Sequence, residues 1–431
     1  MSVYIRSRRS GRIPLAVAAL TCAVTASPVV LWAQASGNPA PIAVTASAQT
    51  PLSLTEAFRL ALEQQPWISS RAERQREQQA RLIVADSWFA DTPTIASGLR
   101  AGSRDSLREF EIEISAPIAT TSRRNLQVAT ARGEASAYAA NVSQQTLKLA
   151  SEVREAYWAA QLAAGEVALT DDENTRAEAL ARDSARRTTA GESARVDTLQ
   201  AQAALQLARS NRAEAQQRLA NTRQPFRALV GEAAIHPLMD SPEASPDTAD
   251  SLRADHPLLR NAEQSIVLAR AKLKEASMLV NAAPTLSFTL GNERTSNSGS
   301  TASSTTARIG VSVPFGGAQR ATPRIAQASA ELAEAQSQER LVRRQLIAEI
   351  DGAKAAHAAS ELRVAILVER ASLATEVATL YAKAFRLGEL DLPTRLRVEG
   401  ERAAALLALT RARIERHAAI SRANQSLGLL P

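Results

Sequence analysis

One cysteine, Cys22, among 431 residues leaves no disulfide framework. The four histidines, His236, His256, His357 and His417, are scattered, and no Cys/His metal spacing, P-loop or nucleophile elbow is present. Neither catalysis nor a cofactor is therefore expected. His236 and His256 sit beside prolines and read as surface-loop positions. Aromatics make up 3% of the chain, too few for a base-stacking surface, so nucleic acid is not an expected partner. After Ala35 no stretch approaches 18 apolar residues, and no transmembrane helix is expected there. That absence does not touch a β-barrel, whose strands need only about 9–11 alternating residues.

Positive charge is concentrated at the start. Arg6, Arg8, Arg9 and Arg12 precede an apolar run from Ile13 that ends in Ala33-Gln34-Ala35. A basic start, an apolar centre and an A-x-A end describe a secretory signal peptide over residues 1–35. Its removal takes four charges from the net +7, leaving 7 − 4 = +3, so the basic balance is weak support for an anionic polymer partner. Ala19-Leu20-Thr21 is a poor approach to a lipidated Cys22. Residues 36–51, rich in Ala, Pro and Thr, read as a flexible leader.

The rest contains an internal repeat. Gly191 and Gly388 are 388 − 191 = 197 apart, as are Leu199 and Leu396, Gly231 and Gly428, and Pro117 and Pro314. Upstream the offset is 191, pairing Pro66 with Pro257 and Pro93 with Pro284. The chain is thus expected to use one unit twice, 52–235 and 252–431, joined by a Pro/Asp/Ser-rich linker at 236–251. The six extra residues (197 − 191) of the second copy fall between Pro284 and Pro314, and read as a longer polar hairpin loop, GNERTSNSGSTASSTT.

The fold class expected is mainly α with a small β part. Leu147, Ala150, Val153, Tyr157 and Ala160 step at helical spacing, and so do Leu373, Val377, Leu380, Ala384 and Leu387. Ser53 and Glu56 form a capping box at the first helix start. Ser122 to Thr189 has no proline, which predicts a rod of about 100 Å at 1.5 Å per residue. The acidic-basic run Arg71–Arg81 reads as a solvated helix face. Period two replaces the helical period in four places, at about 94–100, 109–117, 285–291 and 305–314. Each repeat therefore holds one hairpin. Four strands cannot close a barrel, and an open sheet edge is not tolerated in lipid. Either the sheet caps a helical bundle in water, or several chains pool their strands. Three chains give twelve, an even number within the bacterial range. The apolar positions would then face lipid, and Glu109, Glu111, Glu113, Thr285, Ser287, Thr289 and Arg308 the lumen.

The chain resembles the TolC-like outer-membrane efflux protein family. The resemblance rests on LSLTEAFRLALEQQPWI at Leu52–Ile68, the paired strand segments EISAPI and GVSVPF, and the paired segments TTAGESARVDTLQAQ and FRLGELDLPTRLRVE. It implies a homotrimer with a twelve-stranded barrel in the outer membrane, continued by an α-helical tunnel through the periplasm. It implies turns near 191 and 388 that form periplasmic tips, with Ala190, Gly191, Glu192, Leu387, Gly388, Glu389 and Leu390 docking a periplasmic adaptor (membrane fusion) protein. The adaptor would couple the duct to an inner-membrane pump of RND or ABC type. The function implied is a passive exit duct with no cofactor. The alternative is a periplasmic or secreted coiled-coil scaffold or adaptor protein without a membrane pore. On the lumen face of a trimer, Glu109, Glu111 and Glu113 would present 3 × 3 = 9 carboxylates, which favour cations, with Arg308 offsetting part of that charge.

Overall fold

The computed structural model describes residues 51–431 except 103–106, 236, 247–250 and 298–299. The signal peptide, nearly all of the leader and His236 lie outside the described residues.

The first helix, α1 (Leu54–Glu63), starts where the capping box places it, with the Ser53 hydroxyl accepting from the Glu56 N–H at 3.2 Å. A short α2 (Pro66–Ser69) leads to α3 (Arg71–Ala85), which buries no residue. Strands β1 (Thr94–Ala101) and β2 (Arg108–Pro117) follow. Then α4 runs unbroken over Thr121–Thr189, 69 residues, capped by Thr120. It returns through α5 (Arg195–Val230). After the linker come α6 (Pro257–Met278), β3 (Thr285–Asn297) and β4 (Ser300–Ser312). A second 69-residue helix, α7 (Ala318–Arg386), returns through α8 (Leu392–Ser426). Among the described residues no helix is long and apolar enough to cross a membrane.

Each long helix needs a neighbour, since an isolated rod gains too little from its own hydrogen bonds. α4 packs against α5, α6 and α8, and α7 packs against α6 and α8. One wall results. In the half nearer the Gly191 and Gly388 turns its order is α5, α4, α8, α7, which leaves one flank of α5 and one of α7 without a partner among the described residues. The stripe Leu147, Ala150, Val153, Tyr157 and Ala160 is buried in the main core. The stripe Leu373, Val377, Leu380 and Leu387 is exposed, because it lies on the flank of α7 turned away from α8.

The core is sealed by the linker, which wraps the helices as a belt. Leu238 pairs with Leu52 in a parallel bridge, and the Tyr157 hydroxyl donates to the carbonyls of Met239 (2.7 Å) and Leu52 (3.0 Å). Burial pushes the Tyr157 phenol up to about 12. Tyr157 stacks edge-on against Trp158 (5.1 Å) and Phe226 (5.9 Å), and the Trp158 indole N–H donates to the Ser421 hydroxyl at 2.8 Å. Arg154 clasps Glu243 bidentately, Nε to Oε2 at 3.0 Å and Nη2 to Oε1 at 2.6 Å, and donates to the Leu429 carbonyl at 3.1 Å.

Two sequence expectations are corrected. The run expected as a long second hairpin loop is strand over its described residues, 291–297 and 300–306. β3 and β4 pair from Thr285↔Ser312 to Asn297↔Ser300, so the extra residues lengthen both strands. The run has polar residues on both faces, so it carries no period-two signal, yet the ladder satisfies its backbone all the same. His256 is also not a surface residue. It is 2% exposed, and its Nδ1 accepts from the Leu258 N–H at 3.2 Å as the cap of α6.

Burial holds both His256 and His417 below the usual histidine range, Asp240 opposing that for His417. A histidine whose folded pKa is depressed stays neutral in the fold while the unfolded chain takes up protons below about 6.5. Stability is therefore complete above that pH and falls as pH drops through it. Denaturation midpoints measured between pH 7.5 and 5.5 should decline. His256→Asn, which keeps a capping acceptor, combined with His417→Gln should flatten the decline.

Candidate functional site

Two regions hold the sequence-predicted residues, at opposite ends of the long helices. The first is the sheet. Its order is β1-β2-β3-β4, all antiparallel, with β1 and β4 as free edges. Residues directly opposite in register share a face, which assigns every side chain. Ile95, Leu99, Phe110, Ile112, Ile114, Leu286, Phe288, Leu290, Ile309 and Val311 share one face. Most of that face lies open, with Leu99 79% and Ile309 76% exposed. Below it Trp88 and Phe315 are also exposed, Trp88 with the Arg124 guanidinium 4.8 Å from its ring centre.

The opposite face carries Glu109, Glu111, Glu113, Thr285, Ser287, Thr289 and Arg308 together. The register places Glu109 opposite Glu293 on one side and Arg100 on the other. Arg100 lies 3.8 Å from Glu109, so it meets the acidic row directly, whereas Arg308 stands across Thr289 from Glu113. Sequence reading missed Arg100 and Glu293. The register alone reveals them, since both fall on the polar phase of their strands.

The second region is the pair of turns. α4 ends at Ala190, and Gly191 follows with φ +76°. The Glu192 N–H donates back to the Arg187 carbonyl (2.8 Å) and the Gly191 N–H to that of Thr188 (3.1 Å). α7 ends at Leu387 in the same way. Gly388 has φ +79°, Glu389 N–H reaches the Ala384 carbonyl (3.1 Å) and Gly388 N–H that of Phe385 (3.2 Å). Both are Schellman closures, which require a left-handed residue after the cap. Pro393 follows in the first turn of α8, where its missing N–H costs nothing.

The turns are joined to each other. Two guanidiniums lie over the Phe385 ring, Arg187 at 5.0 Å and Arg395 at 4.7 Å from its centre. Leu180, Ala181, Ala201, Phe385 and Leu392 form a small core beneath, with Leu390 packed on it. Arg187, Phe385 and Arg395 were not singled out from the sequence, because each is unremarkable on its own helix.

No side chain crowds either glycine, so any substitution there is resisted by the backbone alone. Gly191→Ala and Gly388→Ala should each cost about 1–2 kcal/mol, the left-handed penalty for an L-residue. Amide exchange at the turn should quicken roughly tenfold, with the remote core around Tyr157 unchanged.

Among the described residues no cluster of His, Cys, Asp or Glu is arranged to hold a metal. The geometry is that of an apolar-faced sheet on a helical wall.

Residues 57–232 match the family model of outer membrane efflux proteins. No curated protein matches the chain in sequence. Solved structures match along its length. The outer membrane protein VceC from Vibrio cholerae is 15% identical with a TM-score of 0.70, covering 87% of this chain and 96% of that one. The Campylobacter jejuni CmeC outer membrane channel is 13% identical with a TM-score of 0.68, covering 87% and 85%. The open state of the Neisseria gonorrhoeae MtrE outer membrane channel is 15% identical with a TM-score of 0.59, covering 87% and 89%. At these identities the likeness is one of fold. Beside it stands the match of residues 57–232 to outer membrane efflux proteins, so this part of the chain is similar to that family in sequence and the whole described chain is similar to these channels in fold.

Proposed function

We propose that three copies of this chain form the outer-membrane exit duct of a tripartite efflux or export system. The carrying observation is a four-stranded sheet with two unpaired edges and an exposed apolar face. In water such a sheet is an aggregation hazard. In lipid its face is matched, and its edges are matched only by closure. β4 of one copy pairing with β1 of the next repeats the contact head to tail, and such contacts close into rings. Three copies give 3 × 4 = 12 strands. A soluble scaffold has no use for this face.

The helices support the same closure. The free flanks of α5 and α7 are both apolar, so the wall would close alongside the barrel. The two 69-residue helices and their matching glycine closures support a duplicated unit, 52–235 and 252–431, joined by 236–251. Ala190, Gly191, Glu192, Leu387, Gly388, Glu389 and Leu390 form the tips that dock a periplasmic adaptor, through which an inner-membrane pump of RND or ABC type delivers the cargo. Residues 1–35 serve as the export signal, and the duct itself is passive.

Reconstitution tests this. Extracted with detergent from outer membranes, the protein should run as a trimer and conduct in planar bilayers. It should prefer cations, since Glu109, Glu111, Glu113 and Glu293 outnumber Arg100 and Arg308 on the polar face. Replacing Glu109, Glu111 and Glu113 with Gln should abolish that preference. A soluble monomer without conductance would refute the duct, and an unchanged selectivity would refute the lumen assignment.

A further inference from the structure

A groove of roughly 1090 Å³ runs along α4 between α5 and α8, closed at the turn end by Ala382 and Arg386 of α7. Its apolar lining includes Leu169, Leu180, Leu207, Leu396 and Leu407. Its charge is uneven. At the turn end Arg186, Arg187, Arg386 and Arg395 line it together with one aspartate, Asp183. Asp183 already serves two of them, Arg186 at 3.1 Å and Arg187 at 3.3 Å. Among the described residues no carboxylate lies within ion-pair distance of Arg386 or Arg395. The Arg395 Nε is buried without an acceptor. Burial pulls the Arg395 guanidinium below its usual range; Glu399 and Asp183 oppose that, while Arg187 and Arg386 add to it. Farther along the groove the arginines Arg176, Arg218 and Arg402 are paired, and Glu173, whose carboxyl burial pushes up, also lines it. Glu166 holds Arg218 (2.9 Å) and Arg411 (2.6 Å), and Glu399 holds Arg402 (3.1 Å).

A half-apolar groove with surplus arginines at one end is complementary to a molecule with one anionic group and an apolar body. Guanidinium forks bind carboxylate and sulfonate bidentately, and leucine side chains cover rings or chains. We propose that the groove binds amphipathic anions, a carboxylate or sulfonate on an apolar ring or chain, with the anion between Arg386 and Arg395 and the body along the leucines. If the duct reading above holds, on which this role rests, the groove is a first station for cargo beside the tips and biases the duct toward anionic amphiphiles.

Equilibrium dialysis of the full-length protein, held in amphipol, tests the proposal with 2-naphthoate against 2-naphthylmethylammonium. The anion should bind saturably, about one per chain, and the cation at least tenfold more weakly. Arg386→Gln should weaken 2-naphthoate binding roughly threefold to tenfold, and Arg386→Gln with Arg395→Gln more than tenfold. Arg386 is exposed and unpaired, so the single variant keeps the test valid if the double variant misfolds. Equal binding of the two probes, or binding unmoved by Arg386→Gln, overturns the proposal. Dialysis needs no conduction. A protein that binds 2-naphthoate but passes no current sinks the duct and keeps the groove. One that conducts without discriminating between the probes sinks the groove alone.

Discussion

Arg154→Met should lower the stability of the helical core by about 3–5 kcal/mol, the usual cost of removing one partner from a buried ion pair. The Arg154 side chain is 4% exposed and that of Glu243 12%, so the stranded carboxylate has little water to turn to. The Gln425 and Leu429 acceptors lose their donor at the same time. The loss is larger than for a surface pair because Arg154 joins three pieces of chain: α4, the linker and the C-terminal turn. Urea denaturation followed by tryptophan fluorescence reads it, since Trp158 is one turn away in the same core. Arg154→Met with Glu243→Gln should recover a good part of the loss, because no charge is then left unpaired. A single variant within about 0.5 kcal/mol of the parent would show that the belt does not hold the core.

That clasp also marks the limit of what the sequence makes legible. The buried stripe of α4 is readable because Leu147, Ala150, Val153, Tyr157 and Ala160 repeat locally. The glycine closures are readable because only one residue type takes a left-handed backbone cheaply. β2 is readable because its glutamates alternate with Phe110, Ile112 and Ile114. Arg154 and Glu243 are 89 positions apart, and neither carries a local pattern that announces the other. The same holds for Arg187 and Phe385, which meet across two turns nearly 200 residues apart in the chain. The outer half of the β3–β4 hairpin stays hidden for a different reason. A period of two is written into a strand only where its two faces meet different media, and the Ser/Thr run meets the same medium on both. The α7 stripe is readable as apolar and helical. What it packs against is not, because among the described residues of one chain nothing covers it.

That stripe carries the largest expected effect on assembly. Ile366, Leu373, Leu380 and Leu387 follow one another at intervals of seven on the free flank of α7, 58%, 56%, 60% and 65% exposed. On the free flank of α5 stand Val196 and Leu199, 54% and 55% exposed. The levels match. Leu380 lies 388 − 380 = 8 residues before its turn glycine, and Leu199 lies 199 − 191 = 8 after its own. With the two turns side by side, an antiparallel seam between α7 of one copy and α5 of the next brings these leucines face to face. Covering a half-exposed leucine contributes about 1–1.5 kcal/mol. The proposed trimer would have three such seams, in which Leu373 and Leu380 together would contribute about 6–9 kcal/mol to the assembly. Leu373→Glu with Leu380→Glu removes that term and adds the cost of desolvating two carboxylates in each seam. The single chain should keep its helical circular dichroism, since exposed positions tolerate substitution. The trimer band in cross-linking and light scattering should vanish, and conductance with it. Leu199→Lys set opposite Leu380→Glu alone should restore part of the trimer, which a non-specific loss of solubility would not allow. Intact trimers in the double-glutamate variant would place the seam elsewhere and leave the stripe without a partner.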